Sequence, residues 1–160
     1  MNLGLSAPVP LAPQHNLDGF DSGVAGLDSW LRQIARQAAV ANTSQTFVVA
    51  DAENTVLGFY SLAAGSLLRE EATSRAKRGA GKHPIPMALI TRLAVTSSVQ
   101  GRGLGVALLV DAVARVQQVR NQIGIRLLAV HTLDESARTF YLKFGFEASP
   151  IAPNLLLLVL

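Results

Sequence analysis

The segment that most constrains the fold is Q-G-R-G-L-G, from Gln100 to Gly105, which lies between an apolar run and the longest amphipathic stretch of the chain. Glycines at alternate positions permit positive φ angles and let a ligand approach the backbone closely. The first amides of the following helix have no acceptor within the helix and carry a partial positive charge. This order of strand, loop and helix predicts an α/β protein. The loop and the helix N-terminus form a candidate pyrophosphate-binding site, to which Arg102 can add a charged contact.

Two common nucleotide-binding motifs do not account for this loop. The dinucleotide pattern G-x-G-x-x-G requires a glycine at position 106, where the chain has Val106. The P-loop pattern requires serine or threonine after Gly81 and Lys82, where the chain has His83. A second interpretation stays open from these residues alone, namely a glycine turn that only tightens the packing of a strand against a helix.

Apolar periodicity predicts the other elements of the fold. We expect one helix or two abutting helices over residues 24–41, with Ser22 as the N-cap, and a β-hairpin formed by 46–50 and 55–63. Strands and helices then alternate, at 87–95, 103–122, 126–131, 133–145 and 155–160. The alternation implies at least one parallel strand pair, so we expect an α/β fold with a mixed sheet and flanking helices. We expect residues 1–160 to form a single domain.

Composition excludes several classes of protein. The chain is 49% hydrophobic and 16% charged, which is unlike a disordered protein. It has 0 cysteines, which excludes a thiol nucleophile, a disulfide and a cysteine zinc site, and three scattered histidines offer no metal motif. The longest apolar run, Leu155–Leu160, is far shorter than the roughly 20 residues that cross a membrane. We therefore expect a cytoplasmic protein without a metal and without membrane contact.

Positive charge is concentrated in the middle of the chain. Residues 69–126 contain ten Lys and Arg residues but only three acidic ones, whereas the whole chain has a net charge of +3. Such a surplus attracts polyanions or phosphorylated cofactors. A solvated loop that only keeps the protein soluble is the other interpretation that this composition leaves open.

Two blocks of sequence carry a family resemblance. Gln100-x-x-Gly103-x-Gly105, between a strand and a helix, resembles the acyl-CoA-binding motif of the GNAT superfamily of N-acetyltransferases, and Asp134–Phe146 resembles its second block. The resemblance implies a mixed sheet with a splayed parallel strand pair and acetyl-CoA as co-substrate. It implies that backbone groups of Leu93, Ala94 and Val95 pair with the pantetheine arm, where an amide polarises the thioester carbonyl. The implied pyrophosphate site comprises Gln100, Gly101, Arg102, Gly103, Leu104 and Gly105.

The second block contains the candidate catalytic residue, Tyr141. A phenol with a pKa of ~10 stays protonated at neutral pH and can donate a proton to a departing thiolate. The residues alone equally fit a tyrosine packed among neighbouring phenylalanines. His131 and Glu135 are candidate bases close in sequence, although an amine that is already neutral needs no dedicated base. Asp134 stands where the superfamily often has Asn, and we expect it to cap the helix.

A narrower resemblance concerns the acetyl acceptor. The segments Leu17–Arg32, Gln45–Asp51 and Gly58–Ser66 resemble the tRNA-acetylating toxins of bacterial toxin–antitoxin pairs, which commonly have Cys in place of Ser22. This implies acetylation of the α-amino group of aminoacyl-tRNA, which blocks translation. It also implies a homodimer and a ribbon-helix-helix antitoxin partner. In that case the chain would contact DNA only through the antitoxin. Candidate tRNA contacts are Arg75, Lys77, Arg78, Lys82 and Arg92.

Two other functions stay open at the level of sequence. The first is an ordinary GNAT acetyltransferase that acts on a small-molecule or protein amine, although cationic small amines favour an acidic cleft rather than a basic segment. The second is an inactive CoA-binding or interaction module. The presence of Tyr141 and of the glycine loop counts against the second.

Overall fold

The computed structural model describes residues 5–160 of the chain. These residues divide into two compact units, and two strands and one helix contribute residues to both. The first unit comprises the chain up to residue 63 together with residues 91–113, and the second comprises 64–90 and 114–160.

Within residues 5–160 the structure has seven strands and five α-helices. The strands are β1 (Val9–Pro10), β2 (Gln45–Ala50), β3 (Val56–Leu67), β4 (Ile85–Val95), β5 (Leu127–His131), β6 (Glu147–Ala148) and β7 (Leu155–Val159). The helices are α1 (Ala25–Gln33), α2 (Ala35–Val40), α3 (Ser74–Lys77), α4 (Leu104–Val119) and α5 (Glu135–Phe144), and short 3₁₀ turns lie at Arg69–Glu71 and Ser97–Val99. The strand order in the sheet is β1-β2-β3-β4-β5-β7-β6.

The sheet is mixed, as the sequence predicts. Strands β2 and β3 form the expected antiparallel hairpin, with a register shift between Val49 and Ala50. Strands β4 and β5 are the parallel pair, in a register that runs from Met87 opposite Leu127 to Ile90 opposite Val130. Because β4 continues to Val95, five of its residues lie beyond this register. In the second unit, β7 pairs antiparallel with both β5 and β6.

The first unit has apolar side chains on both faces of its strands. On one face, Trp30 and Leu31 of α1 pack in a cluster with Phe59 and Ala94. On the other face, the α4 cluster joins Leu104, Leu108 and Ala112 to Val49 and Tyr60, with Leu93 and Val95 packed against it. Successive side chains of a strand point to opposite faces, which is why neighbouring residues of β3 and β4 enter different clusters.

A glycine in β3 brings α4 close to the sheet. A Cβ atom added at Gly58 would lie 3.0 Å from a methyl carbon of Leu108 and 3.2 Å from one of Leu104. Only a residue without a side chain fits that spacing easily. The first turn of α4, which follows the glycine loop, therefore packs directly on the strand.

The start of α1 differs from the prediction. Val24 is the N-cap of this helix and provides no side-chain hydrogen bond, whereas Ser22 lies two residues earlier. The hydroxyl of Ser22 donates to a carboxylate oxygen of Asp28 at 2.7 Å, and its amide donates to the same carboxylate. The prediction of Ser22 as N-cap is wrong because the buried Asp28 binds the turn that precedes the helix.

Candidate active site

The glycine loop connects β4 to α4 through backbone conformations that favour glycine. Gly101 has φ 77° and Gly103 has φ 85°. A Cβ atom added at either position would meet nothing within 4 Å, so the backbone conformation and not crowding requires glycine there. The positive φ angles predicted for this loop are confirmed. Residues 101–103 are exposed, and the backbone is accessible to a ligand.

Helix α4 begins immediately after this loop. The amide of Ala107 donates to the carbonyl of Gly103 at 3.1 Å, and the amides of residues 104–106 precede it in the first turn. Such amides have no acceptor within their own helix. The side chain of Leu104 is buried in the α4 cluster and anchors this turn, whereas Gly105 is partly exposed. The loop and the first turn together present backbone donors suited to a phosphate group.

The side chain of Gln100 is bound to the protein itself. Its Nε2 atom donates to the carbonyl of Ser22 at 2.9 Å and to the carbonyl of Val95 at 2.8 Å. Close by, the amide and the hydroxyl of Ser97 both donate to the carbonyl of Asp21. These bonds tie the base of the glycine loop to residues 21–22, so Gln100 supports the shape of the loop.

The predicted pantetheine residues lie at the end of β4. Leu93 and Val95 pack against the α4 cluster, and Ala94 is buried in the cluster that contains Trp30 and Phe59. Their side chains are occupied by packing. A contact of these three residues with a ligand would therefore use the backbone, as the family resemblance implies.

Tyr141 lies in the middle of α5, a helix with both ends capped. Asp134 is the N-cap, as predicted, and its carboxylate accepts the amide of Ala137 at 2.8 Å. Gly145 ends the helix with φ 115°. The Tyr141 ring makes edge contacts with Phe140 and Phe146, at centroid distances of 5.1 and 5.3 Å. The capped helix and the two rings hold the phenol in place.

The environment of Tyr141 keeps its hydroxyl protonated. The residue is only 5% exposed, and burial raises the pKa of the Tyr141 phenol above its ordinary value. Within residues 5–160, two fully buried side-chain atoms have no hydrogen-bond partner, Ser44 Oγ and Arg126 Nε. The Tyr141 oxygen is not one of them, and the structure gives it no hydrogen bond to another described residue. The ring is thus packed, and the hydroxyl keeps a proton that is not used in a hydrogen bond to a described residue.

The two candidate bases differ from Tyr141 in burial. His131, at the end of β5, and Glu135, in the first turn of α5, are both exposed. A carboxylate oxygen of Glu135 lies 3.8 Å from a guanidinium nitrogen of Arg138. Their role as bases stays a prediction.

Three of the predicted tRNA contacts lie in α3 or directly after it, in the second unit. Arg75 and Lys77 lie in this helix, and Arg78 directly follows it. We call these three residues the α3 cluster. They line a cleft of about 670 Å³ together with Glu147, whose carboxylate lies 3.1 Å from Arg75 Nε. Lys82 follows in the next loop, whereas Arg92 lies in the first unit, where its guanidinium stacks on Trp30.

Sequence reasoning missed the residue that supports the α3 cluster. Nη2 of Arg126 donates to the carbonyl of Arg78 at 2.6 Å and to that of Arg75 at 3.3 Å. Both bonds join residues about fifty positions apart, and no local pattern reports such a contact. The guanidinium of Arg126 therefore stabilises α3 by binding the backbone carbonyls of Arg75 and Arg78.

Replacing Arg126 with Met is expected to loosen α3. A hydrogen bond from a charged group is worth about 1.5–3 kcal/mol, and the variant would lack two of them. We expect faster amide hydrogen exchange at Lys77 and Ala80, whose amides bond within this segment. Arg120→Met is the control, since it removes an arginine directly after α4 whose side chain makes no hydrogen bond to α3 in the structure. Unchanged exchange in Arg126→Met would show that α3 holds its conformation without the guanidinium.

Neither a metal centre nor a transmembrane helix is found between residues 5 and 160. In that range no three His, Cys, Asp or Glu side chains are grouped so as to hold a metal ion. Across the same range no helix has the length and apolarity needed to cross a membrane.

Comparison with known proteins gives the family. Residues 43–148 match the acetyltransferase (GNAT) domain. The chain is 41% identical to a tRNA-acetylating toxin of Mycobacterium tuberculosis over 157 residues, which cover 98% of this chain and 93% of that toxin.

Solved structures extend the likeness over the whole fold. AtaT complexed with acetyl-methionyl-tRNAfMet matches with a TM-score of 0.90 and 27% identity, over 97% of this chain and 94% of that one. A tyrosine-to-phenylalanine mutant of the AtaT toxin, bound to the C-terminus of the antitoxin AtaR and to acetyl-CoA, matches with a TM-score of 0.82 and 26% identity, over 97% and 92%. Family, fold and glycine loop agree, and the chain belongs to the GNAT acetyltransferases.

Proposed function

We propose that this protein transfers an acetyl group from acetyl-CoA to the α-amino group of an aminoacyl-tRNA and so blocks translation. The observation that carries the proposal is the 41% identity, over 98% of the chain, to a tRNA-acetylating toxin. An acceptor that is a polyanion also agrees with the surplus of cations in residues 69–126.

Acetyl-CoA is the co-substrate in this proposal. The donors for its pyrophosphate are backbone amides of the glycine loop and the first turn of α4, and Arg102 is exposed beside them. The fit rests on the open space around Gly101 and Gly103, where no Cβ shields the backbone. Backbone groups of residues 93–95 bind the pantetheine arm and polarise the thioester carbonyl. Bound acetyl-CoA supplies the activated acetyl group.

Tyr141 is the proposed general acid. Burial keeps a proton on its hydroxyl oxygen, and in this proposal the phenol donates that proton to the sulfur that leaves. The α-amino group of an aminoacyl ester has a pKa of at most ~7.7–8.0, so a useful fraction is neutral at pH 7. After this amine attacks the thioester carbonyl, its nitrogen releases a proton to water, and Tyr141 regains from water the proton that it gave to the sulfur. The proposal therefore includes no dedicated base.

The α3 cluster and Lys82 are the proposed contacts for the tRNA backbone. If they are, the KM for charged tRNA should rise steeply with salt, because cations that bind phosphates release counterions. Neutralising Arg75, Lys77 and Arg78 to Gln should raise that KM at low salt and reduce the slope against salt by roughly 0.7–0.9 for each phosphate that the variant no longer neutralises.

The salt experiment has an internal control. Lys143→Gln removes an exposed cation of α5 that is outside the α3 cluster, and it should leave the slope unchanged. If the triple variant kept the wild-type dependence of KM on salt, the tRNA would have to bind at a site other than α3.

One assay separates the proposed function from its alternatives. The purified protein is incubated with labelled acetyl-CoA and either total charged tRNA or a panel of polyamines, aminoglycosides and peptides. We expect label on aminoacyl-tRNA. Label only on small or protein amines would establish an ordinary acetyltransferase, and no label, with acetyl-CoA bound, would establish a silent CoA-binding module.

The partner of this protein is proposed by the same reasoning. AtaT binds the antitoxin AtaR in the matched structure, and we propose an antitoxin of the ribbon-helix-helix type for this chain. We also propose a homodimer, a cytoplasmic location and contact with DNA only through the antitoxin. Co-expression with a candidate ribbon-helix-helix antitoxin, followed by measurement of the mass of the complex, tests the antitoxin and the homodimer.

A further inference from the structure

Arg92 of β4 is held on an aromatic surface in the first unit. Its guanidinium carbon lies 4.1 Å from the centroid of the Trp30 ring. Trp30 is 8% exposed and stacks in turn on Phe59, with 6.4 Å between ring centroids and 14° between ring planes. A guanidinium on a buried ring has few conformations open to it, so the position of Arg92 is largely set before any ligand binds.

Contact with the Trp30 ring leaves the hydrogen-bond donors of Arg92 unused. A guanidinium carries five N–H donors in its plane. The structure gives Arg92 no hydrogen bond or ion pair with any residue from 5 to 160. Its side chain is partly exposed, and none of its nitrogens is fully buried without a partner. The donors therefore face water.

The arginines of α1 and α2 behave differently. Arg32 donates to the carbonyl of Phe20 at 2.7 Å, and Arg36 donates to the carbonyl of His15 at 2.8 Å. Each uses its donors to fasten the preceding segment. Partial burial lowers the pKa of Arg92, because the cation loses part of its hydration. An oriented cation with a free edge is suited to a planar or tetrahedral anion, which it can bind with two parallel hydrogen bonds.

The face of the sheet indicates which anion. Arg92 lies on the same side as Ala94, with Trp30 and Phe59, whereas Leu93 and Val95 pack toward α4. The proposed pyrophosphate site lies at the N-terminus of α4, on the opposite side of this strand. An anion at Arg92 would therefore come from the acceptor and not from acetyl-CoA.

We infer that Arg92, oriented by Trp30, binds a phosphate of the 3′-terminal nucleotides of the acceptor and so favours an aminoacyl-nucleotide over a free amine. This inference rests on the proposed function. Arg92 then has a role different from that of the α3 cluster, because Arg92 would bind the end of the tRNA that carries the reacting amine.

Trp30 provides a direct measurement of this binding. It is the only tryptophan in the chain, so intrinsic fluorescence reports the ring on which Arg92 lies. We expect a saturable fluorescence change on titration with the uncharged trinucleotide CCA carrying a 5′-phosphate. The change should be abolished in Arg92→Gln and much weakened in Arg92→Lys, which keeps the charge without the planar fork. Arg36→Lys is the matched control and should titrate like the wild type.

Kinetics then separate the acceptor from the cofactor. In Arg92→Lys we expect the KM for aminoacyl-tRNA to rise about tenfold or more, while the KM for acetyl-CoA stays at the wild-type value. An aminoacyl amide without phosphate should react equally with both proteins. Circular dichroism and thermal unfolding of each variant establish that it is folded.

The outcomes that overturn the inference are distinct from failure of the proposed function. No fluorescence response to the trinucleotide in the wild type, or an equal response in Arg92→Gln, would remove it. A matching rise in the KM for acetyl-CoA would assign Arg92 to the cofactor instead. The proposed function fails on a separate result, the absence of acetylated aminoacyl-tRNA with the wild-type protein.

Discussion

Replacing Tyr141 with Phe is expected to lower kcat for acetyl transfer by about 10²–10⁴-fold, the usual contribution of a positioned general acid. The substitution removes one oxygen and keeps the ring that packs against Phe140 and Phe146. Stability should change little, because the structure gives this hydroxyl no hydrogen bond to another described residue. The KM for acetyl-CoA should stay within a few-fold of the wild-type value. Initial rates with labelled acetyl-CoA at saturating substrate measure the effect.

The chain offers a matched control, since it has two tyrosines. The hydroxyl of Tyr60 donates to a carboxylate oxygen of Asp111 at 2.5 Å, which joins β3 to α4. Tyr60→Phe should therefore lower the free energy of unfolding by about 1.5–3 kcal/mol while kcat stays within a few-fold. If Tyr60→Phe reduced kcat as much as Tyr141→Phe, the loss would reflect a damaged fold rather than a missing proton donor.

The pH profile gives a second test of the same role. Since burial raises the pKa of Tyr141, its protonated form persists at pH values where an ordinary phenol, with a pKa near ~10, would begin to ionise. The rate should therefore show no loss from ionisation of Tyr141 below about pH 10. A rise in rate as the acceptor amine becomes neutral, near pH ~7.7–8, should be present in both the wild type and Tyr141→Phe.

Features that depend on neighbouring residues could be predicted from the sequence. The positive φ angles at Gly101 and Gly103 follow from alternate glycines before a helix. The cap at Asp134 follows from an aspartate directly before a helix, where its carboxylate can accept the amide of Ala137. Apolar periodicity predicted the hairpin and the mixed sheet. In each case the physical cause lies within a few residues of the feature, or in a period that repeats along one element.

Features that depend on distant residues could not be predicted. The bonds from Arg126 to the backbone of α3 and the stacking of Arg92 on Trp30 join segments that only the fold brings together. The four residues of α3 are too few to show a helical period. The prediction of Ser22 as an N-cap failed for the same reason. Serine is a common N-cap residue, but the hydroxyl of Ser22 binds the carboxylate of Asp28 instead.

The glycine loop supports a prediction in which backbone strain and ligand contact can be separated. Gly103→Ala places a Cβ atom on a residue with φ 85°, which costs about 1–2 kcal/mol of stability. The same Cβ would stand where the proposed pyrophosphate approaches the backbone. We expect the KM for acetyl-CoA to rise at least tenfold, and calorimetry to show a parallel loss of acetyl-CoA binding.

Gly79→Ala is the matched control for that experiment. Gly79 has φ 75°, and a Cβ added there also meets nothing within 4 Å, so the two substitutions have the same type of backbone cost. Gly79 lies after the α3 cluster, outside the proposed cofactor site. We therefore expect similar losses in the free energy of unfolding for both variants, with a raised KM for acetyl-CoA only in Gly103→Ala. Equal KM values in the two variants would mean that the glycines after Gln100 shape the turn without touching the cofactor, and the pyrophosphate would have to bind elsewhere.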